Sequence, residues 1–197
     1  MFYVNNMKDK LLYDSLVNYY NQNPIYKQLL YDIIQGNINI SLRSIDWFIT
    51  NYSKKHNIYY QIYKNKLNNH TFESEGNEYI SKMNIYHSYK SQLKAYSKKK
   101  FDPFCRRERI LYCLNENQSI ETTIGQLNFF KWALNNLIID YIQLHQKEIE
   151  IDMNTCLKEI KLKSSKKNGK RKKREELSLS ASRGLTRNIV DIEITFD

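Results

Sequence analysis

Residues 123–144 constrain the fold more than any other stretch. Thr123-Ile124-Gly125-Gln126 has the form of a capping box, in which the Thr123 hydroxyl accepts from the amide three residues on and the Gln126 side chain reaches back to the cap. Leu127, Phe130, Leu134, Leu137, Ile138, Tyr141 and Leu144 follow at three- and four-residue intervals, one face of an α-helix. Trp132 and Ile139 widen that arc beyond what a surface helix shows. The pattern predicts a central, largely buried helix of about 22 residues, roughly 33 Å long. Ile149, Met153, Cys156 and Ile160 continue the spacing, with or without a break near Gln146.

A buried helix needs partners, and the sequence supplies them on its N-terminal side. Leu11, Leu12, Leu16, Tyr19 and Tyr20 give a helix over 7–22. Pro24 suits a first helical turn, and Ile25, Leu29, Leu30, Ile33 and Ile34 lead to a stop at Gly36. Ser41 can cap a third helix through Leu42, Ile45, Phe48, Ile49 and Tyr52, ending on Lys54-Lys55 where cations favour a C-terminus. Ile58–Tyr63 is β-prone and Asn65–Asn77 is a polar loop. Tyr86, Tyr89, Leu93 and Tyr96 predict another helix, with Lys90, Lys94 and Lys98 on a different face and Pro103 ending it. Arg109–Leu114 and Ser119–Thr123 flank the turn-like Asn115–Gln118 as a hairpin. Five Gly and two Pro are too few for a turn-dense all-β protein.

The fold class expected is therefore α+β, predominantly helical: a single mainly helical domain over 1–160 with a short hairpin near 109–123, a basic flexible arm over 161–176, and a β segment or hairpin over 177–197. Val190–Phe196 alternates strictly, and Leu177–Ser180 does so more briefly.

Charge is the main functional clue. Nine of the thirty-one Lys and Arg residues lie within 161–174: Lys161, Lys163, Lys166, Lys167, Lys170, Arg171, Lys172, Lys173 and Arg174. The other basic residues nearly cancel the twenty-one acidic ones. Such a block repels itself and meets a polyanion, unless it serves as an import signal or a solvated linker. A second cluster interleaves Lys98, Lys99, Lys100, Arg106, Arg107 and Arg109 with Phe101 and Phe104. Lys90 and Lys94 extend it. Cations among aromatics are what single-stranded nucleic acid needs, charges for the backbone and rings for the bases. The competing reading makes the phenylalanines core anchors and the cations solvated or paired with Asp102 and Glu108. Trp47, Phe48 and Trp132 read as core.

Catalytic patterns are weak. The histidines His56, His70, His87 and His145 show no ligand spacing, the three cysteines form no zinc pattern, and there is no glycine-rich phosphate loop. No cofactor or metal is expected. Cys113 and Cys156 read as small buried hydrophobes, and Cys105 beside Arg106-Arg107 is placed for a lowered thiol pKa. Asp152 with Glu159-Ile160-Lys161 faintly matches the carboxylate-and-lysine set of metal-dependent nucleases, but on a helical pattern. The N-terminus lacks an apolar signal core and no run approaches a membrane span, so a soluble, intracellular protein is expected, or one carried inside a particle assembled in a cell.

The segments 41–58, 89–110 and 122–142, with Trp47, the Phe101-Asp102-Pro103-Phe104 turn before Arg106-Arg107, and the Gly125-Gln126 helix start, resemble blocks in uncharacterised proteins of nucleocytoplasmic large DNA viruses. The resemblance implies a viral origin, consistent with the Asn-, Lys-, Ile- and Tyr-rich composition of an AT-rich genome, and implies no activity. The function expected is non-enzymatic binding of nucleic acid, DNA or RNA, through phosphate. The alternatives are a virion or assembly protein that binds other proteins, and a metal-dependent nucleic-acid-processing enzyme.

Overall fold

In the computed structural model residues 7–115 and 118–165 are described, with side chains to residue 159. The order is α1 (Met7–Gln22), α2 (Pro24–Gln35), α3 (Leu42–Trp47), a π-helical turn (Phe48–Tyr52), α4 (Ser53–Lys55), β1 (Tyr59–Lys64), β2 (His70–Thr71), β3 (Glu78–Asn84), α5 (Ile85–Lys100), β4 (Ile110–Asn115), β5 (Gln118–Thr122), α6 (Ile124–Asn135), α7 (Ile138–Leu144) and α8 (Gln146–Ser165). The chain is α+β and predominantly helical, as its periodicity predicts. It divides into two units, Met1–Leu157 and Lys158–Asp197, and the core among the described residues lies in the first.

The predicted central helix forms in two pieces. In α6 every residue from Ile124 to Phe130 is buried, so every side of the helix is covered over its first two turns. The helix then stops, because Leu137 adopts the left-handed conformation at φ 55, ψ 28. A leucine there costs roughly 1–2 kcal/mol. Two backbone carbonyls and one side chain at the break find partners from three other elements. The Tyr19 hydroxyl donates to Asn135 Oδ1 at 2.6 Å, His70 Nδ1 meets the Asn135 carbonyl at 2.5 Å, and the Tyr60 hydroxyl donates to the Asn136 carbonyl. These contacts come from distant parts of the chain, so the 3.6-residue pattern that runs through Leu137 gives no warning of the break. The second break does fall where the spacing falters, at His145 before α8.

Capping works as the sequence implies in three places. Gly36 closes α2 at φ 76, a conformation glycine enters freely, and the Asn37 amide reaches the Asp32 carbonyl at 2.8 Å. The Ser41 hydroxyl accepts from Ser44 N at 3.0 Å, and Thr123 accepts from Gln126 N at 3.0 Å. The other half of the expected capping box is absent. Gln126 instead takes the Thr122 hydroxyl on its Oε1 at 2.8 Å and donates from Nε2 to the Pro103 carbonyl at 2.8 Å. A side chain expected to serve its own helix end ties two loops together.

β1 is the middle strand of an antiparallel sheet ordered β2-β1-β3, with a register shift between Ile62 and Tyr63. Ile62 and Met83 face the core. The pattern does not reveal β3, because that shift makes Ile80 an unpaired extra residue and breaks its period of two. The predicted hairpin is β4–β5, with Ile110, Tyr112 and Ile120 buried and the Tyr112 ring 6.1 Å from that of Tyr20 on α1.

Candidate nucleic-acid interface

The basic cluster of residues 90–109 is built on a kinked helix and a stitched loop. Lys90 and Lys94 sit one turn apart on the exposed side of α5, around a shallow depression shared with His87, Ser91 and Leu93. The four-residue series does not continue to Lys98. At Ser97 the backbone turns to φ 58, ψ 169, so Lys98–Lys100 form a separate turn. That region of backbone space is nearly restricted to glycine and costs about 1–3 kcal/mol elsewhere. The turn delivers Phe101 into the core. Its ring is 1% exposed and lies 5.2 Å from Phe129, 5.4 Å from Trp132 and 6.0 Å from Tyr89.

Backbone stitches fix the loop to the start of α6. The Asp102 amide donates to the Gly125 carbonyl at 3.2 Å, Gln126 holds the Pro103 carbonyl, and the Asn128 amide holds the Lys100 carbonyl at 2.9 Å. Gly125 is required by this approach: a Cβ there would lie 3.0 Å from the Lys99 carbonyl oxygen and 3.3 Å from Phe101 N. The Asp102 carboxylate accepts from Phe104 N at 3.1 Å and from Arg106 Nε and Nη2 at 3.0 and 2.9 Å. Arg106 in turn covers the Phe104 ring at 4.6 Å.

The eight predicted cations of this cluster therefore separate into two sets. Lys100 pairs with Asp9 of α1 at 2.6 Å, Arg106 with Asp102, and Arg109 with Glu121 at 2.5 Å. Lys90, Lys94, Lys98, Lys99 and Arg107 are exposed and have no ion pair among the described residues. Of this set, Lys98 acts on Asp46, whose pKa is raised by burial despite the pull of Arg106 and Lys98. Lys161 and Lys163 fall on the backbone of α8. Lys166, Lys167, Lys170, Arg171, Lys172, Lys173 and Arg174, like the alternating stretches after them, lie outside the described residues.

The interleaved-aromatic reading of Phe101 is corrected, since a ring inside the core cannot stack on a base. Exposed aromatics sit instead on the three-stranded sheet. Strand alternation puts Tyr59, Gln61 and Tyr63 on one face of β1, with Lys82 opposite Gln61 and Tyr79 opposite Tyr63. Tyr59 and Tyr79 are 56% and 54% exposed. Lys82 Nζ stands 4.3 Å from the Tyr59 ring centre, and Tyr63 meets Tyr79 edge-on at 5.9 Å. The signal in the sequence was the alternation Tyr59-Gln61-Tyr63 with a polar residue between the rings, which marks a solvent face.

Three other expectations change. Asp152 is a fold-holding residue: its carboxylate accepts from Trp47 Nε1–H at 3.0 Å and from Lys55, with His56 Nε2 4.0 Å away. Glu159 is exposed on the same helix, and no group of three or more metal-ligating side chains exists among the described residues. Burial alone would raise the pKa of Asp152, but the hydrogen bonds from Lys55 and Trp47 hold it below the ordinary aspartate value. That stabilisation is complete above the unfolded value of about 3.9 and disappears as pH falls through the lowered folded value. Asp152→Asn is thus expected to destabilise the protein at pH 7, with the difference between variant and parent closing only below about pH 4 in denaturation curves. Cys113 is exposed and Cys156 half-buried, so neither is a core residue. The Cys105 thiol is raised by burial, against the opposing pull of Arg109, and is not activated.

The described residues define a predominantly helical α+β protein with an ordered basic loop and a tyrosine-bearing sheet face. Residues 5–190 match the model of the family of unknown function DUF7197, and the chain belongs to that family. It is 38% identical over 177 residues to the Uncharacterized protein L507 of Acanthamoeba polyphaga mimivirus, covering 87% of this chain and 58% of the relative. The chain thus spans less than two thirds of that relative's length. The kinship with proteins of large DNA viruses read from three sequence blocks holds. No solved structure matches the chain. No helix among the described residues is long and apolar enough to cross a membrane.

Proposed function

We propose that this is a non-enzymatic nucleic-acid-binding protein of a large DNA virus, gripping phosphate largely without sequence preference. The observation that carries the reading is the set of exposed cations without an ion pair, Lys90, Lys94, Lys98, Lys99 and Arg107, presented by α5 and the loop that follows it, whose remaining cations are paired within the fold. The nine cations of 161–174 add to the same polyanion affinity. Tyr59 and Tyr79, with Lys82 between the strands, offer stacking surface for unpaired bases. Such a protein works wherever the viral genome or its transcripts are, in host cytoplasm or nucleus or inside the particle.

The test is fluorescence anisotropy with labelled single strands and duplexes of equal length and unrelated sequence, titrated at several salt concentrations. Affinity is expected to fall linearly on a log–log plot, by about 0.9 per duplex phosphate contact, and to vary little with sequence. Tyr59→Ala with Tyr79→Ala is expected to weaken single-strand binding by at least about thirtyfold, two stacked bases at roughly one to three kcal/mol each, while sparing duplex binding. Absence of binding at about 50 mM salt, where counterion release is most favourable, ends the proposal.

A second reading has one observation behind it. β3 is an edge strand with Tyr79 and Ile80 exposed, a form that accepts a partner's strand. Under this reading the protein is an assembly component that binds virion proteins, and pull-down of capsid components without nucleic acid favours it.

A further inference from the structure

The break between α6 and α7 borders a cleft of about 490 Å³ that the nucleic-acid reading does not use. Its walls come from the start of α2, the β1–β2 loop and α7. One carboxylate lines it, that of Asp140, and no Lys or Arg does. Asp140 is half-buried. It takes a hydrogen bond from its own backbone amide, and no other residue pairs with it among the described residues. Burial raises its pKa, and it adds to the rise that burial imposes on the Tyr26 and Tyr60 hydroxyls. A carboxylate withdrawn from water without a counter-charge is unfavourable, and the structure retains one here.

The other polar group of note is His70. Its Nδ1 faces the Asn135 carbonyl at 2.5 Å, which assigns the proton of the neutral ring to Nδ1 and leaves Nε2 an acceptor. The charged and imidazole groups of the cleft thus ask for a donor. The remaining wall is mixed: the uncharged amides of Gln22, Asn23, Asn68 and Asn69 stand beside apolar side chains, among them Leu29, Ile25 and Leu67, the last two 71% and 80% exposed. Large aliphatic side chains left in water beside a lone carboxylate match a ligand with an apolar stem and a positive head. Phosphates and carboxylates would meet Asp140 with no cation to offset it.

We propose that this cleft is a binding site for a small aliphatic amine in its ammonium form, with Asp140 as counter-ion, His70 as second acceptor and the Ile25–Leu67 rim around the stem. The site is independent of the basic loop and of what that loop binds.

The experiment is titration of the full chain with pentylammonium, 1-pentanol and pentanoate, followed by amide chemical shifts in ¹⁵N-labelled protein. Pentylammonium is expected to move Asn68, Asn69, His70 and Leu137 saturably, pentanol to bind about tenfold more weakly or worse, which is the loss of about 1.4 kcal/mol from the charge, and pentanoate not to bind. Asp140→Asn is expected to abolish the preference for the ammonium. Leu67→Lys places a cation at the rim on a residue that packs on nothing in the core, so it decides the matter if Asp140→Asn does not fold. It is expected to weaken pentylammonium at least fivefold with unchanged thermal midpoint. No saturable shift with pentylammonium, equal affinity for pentanol, or undiminished affinity in either variant overturns the assignment.

Discussion

Phe101→Ala is expected to lower the unfolding free energy by about 3–5 kcal/mol, the range for truncating a fully enclosed phenylalanine. The ring is 1% exposed and has three aromatic neighbours within 6.0 Å, two of them on α6. Its removal leaves a void under the point where α5 meets α6. The contacts that hold the 98–109 loop start at this residue: Lys100 and Pro103 carbonyls and the Asp102 amide all pair with α6 within three residues of it. Urea denaturation, followed by the fluorescence of Trp132 next to the cavity, measures the loss. Phe101→Leu, which keeps most of the volume, is expected to cost under half as much. A cost below about 1 kcal/mol for the alanine variant, the level of an exposed side chain, would mean that the ring is not an anchor and would restore it as a candidate for stacking on bases.

The same residues show how far the sequence could be read. Local rules carried well: Gly36, Ser41 and Thr123 each do at a helix end what their chemistry dictates, and α1, α2, β1 and the β4–β5 hairpin lie where periodicity places them. What failed depended on partners far away in sequence. Leu137 breaks a perfect apolar series where Tyr60 and His70 hold the Asn136 and Asn135 carbonyls and Tyr19 holds the Asn135 side chain, from 76, 65 and 116 residues away. Gln126 leaves its capping role for Pro103, 23 residues back. The site was legible to the same extent. Charge density marked the loop, but composition cannot tell a cation paired with Asp9, Asp102 or Glu121 from one left open. Nor did any local pattern bring Asp140 and His70 to one cleft.

Replacing Lys90, Lys94, Lys98, Lys99 and Arg107 together by glutamine is expected to cut nucleic-acid affinity by at least about a hundredfold at about 50 mM salt and to flatten the salt slope by up to about 4.5, five contacts at roughly 0.9 each. Binding will not vanish, since the cations of 161–174 remain. The stability of the variant should be nearly unchanged, because exposed side chains without partners contribute within about 0.5 kcal/mol. The companion variant Lys100→Gln, Arg106→Gln, Arg109→Gln removes three charges against five, from the same basic region but from side chains already matched to carboxylates. Its effects should be reversed in kind. Affinity should fall far less, since the freed Asp9, Asp102 and Glu121 act only through a screened field, while stability should drop chiefly through Arg106, whose two bonds to a buried Asp102 have no substitute. Binding curves at four salt concentrations and one denaturation series per variant separate the two sets. Equal losses of binding free energy per charge removed in both would mean that bulk charge, and not the open set, attracts the polyanion. An unchanged slope in the first would remove this loop from the interface altogether and leave only the lysine-rich 161–174 segment to account for binding.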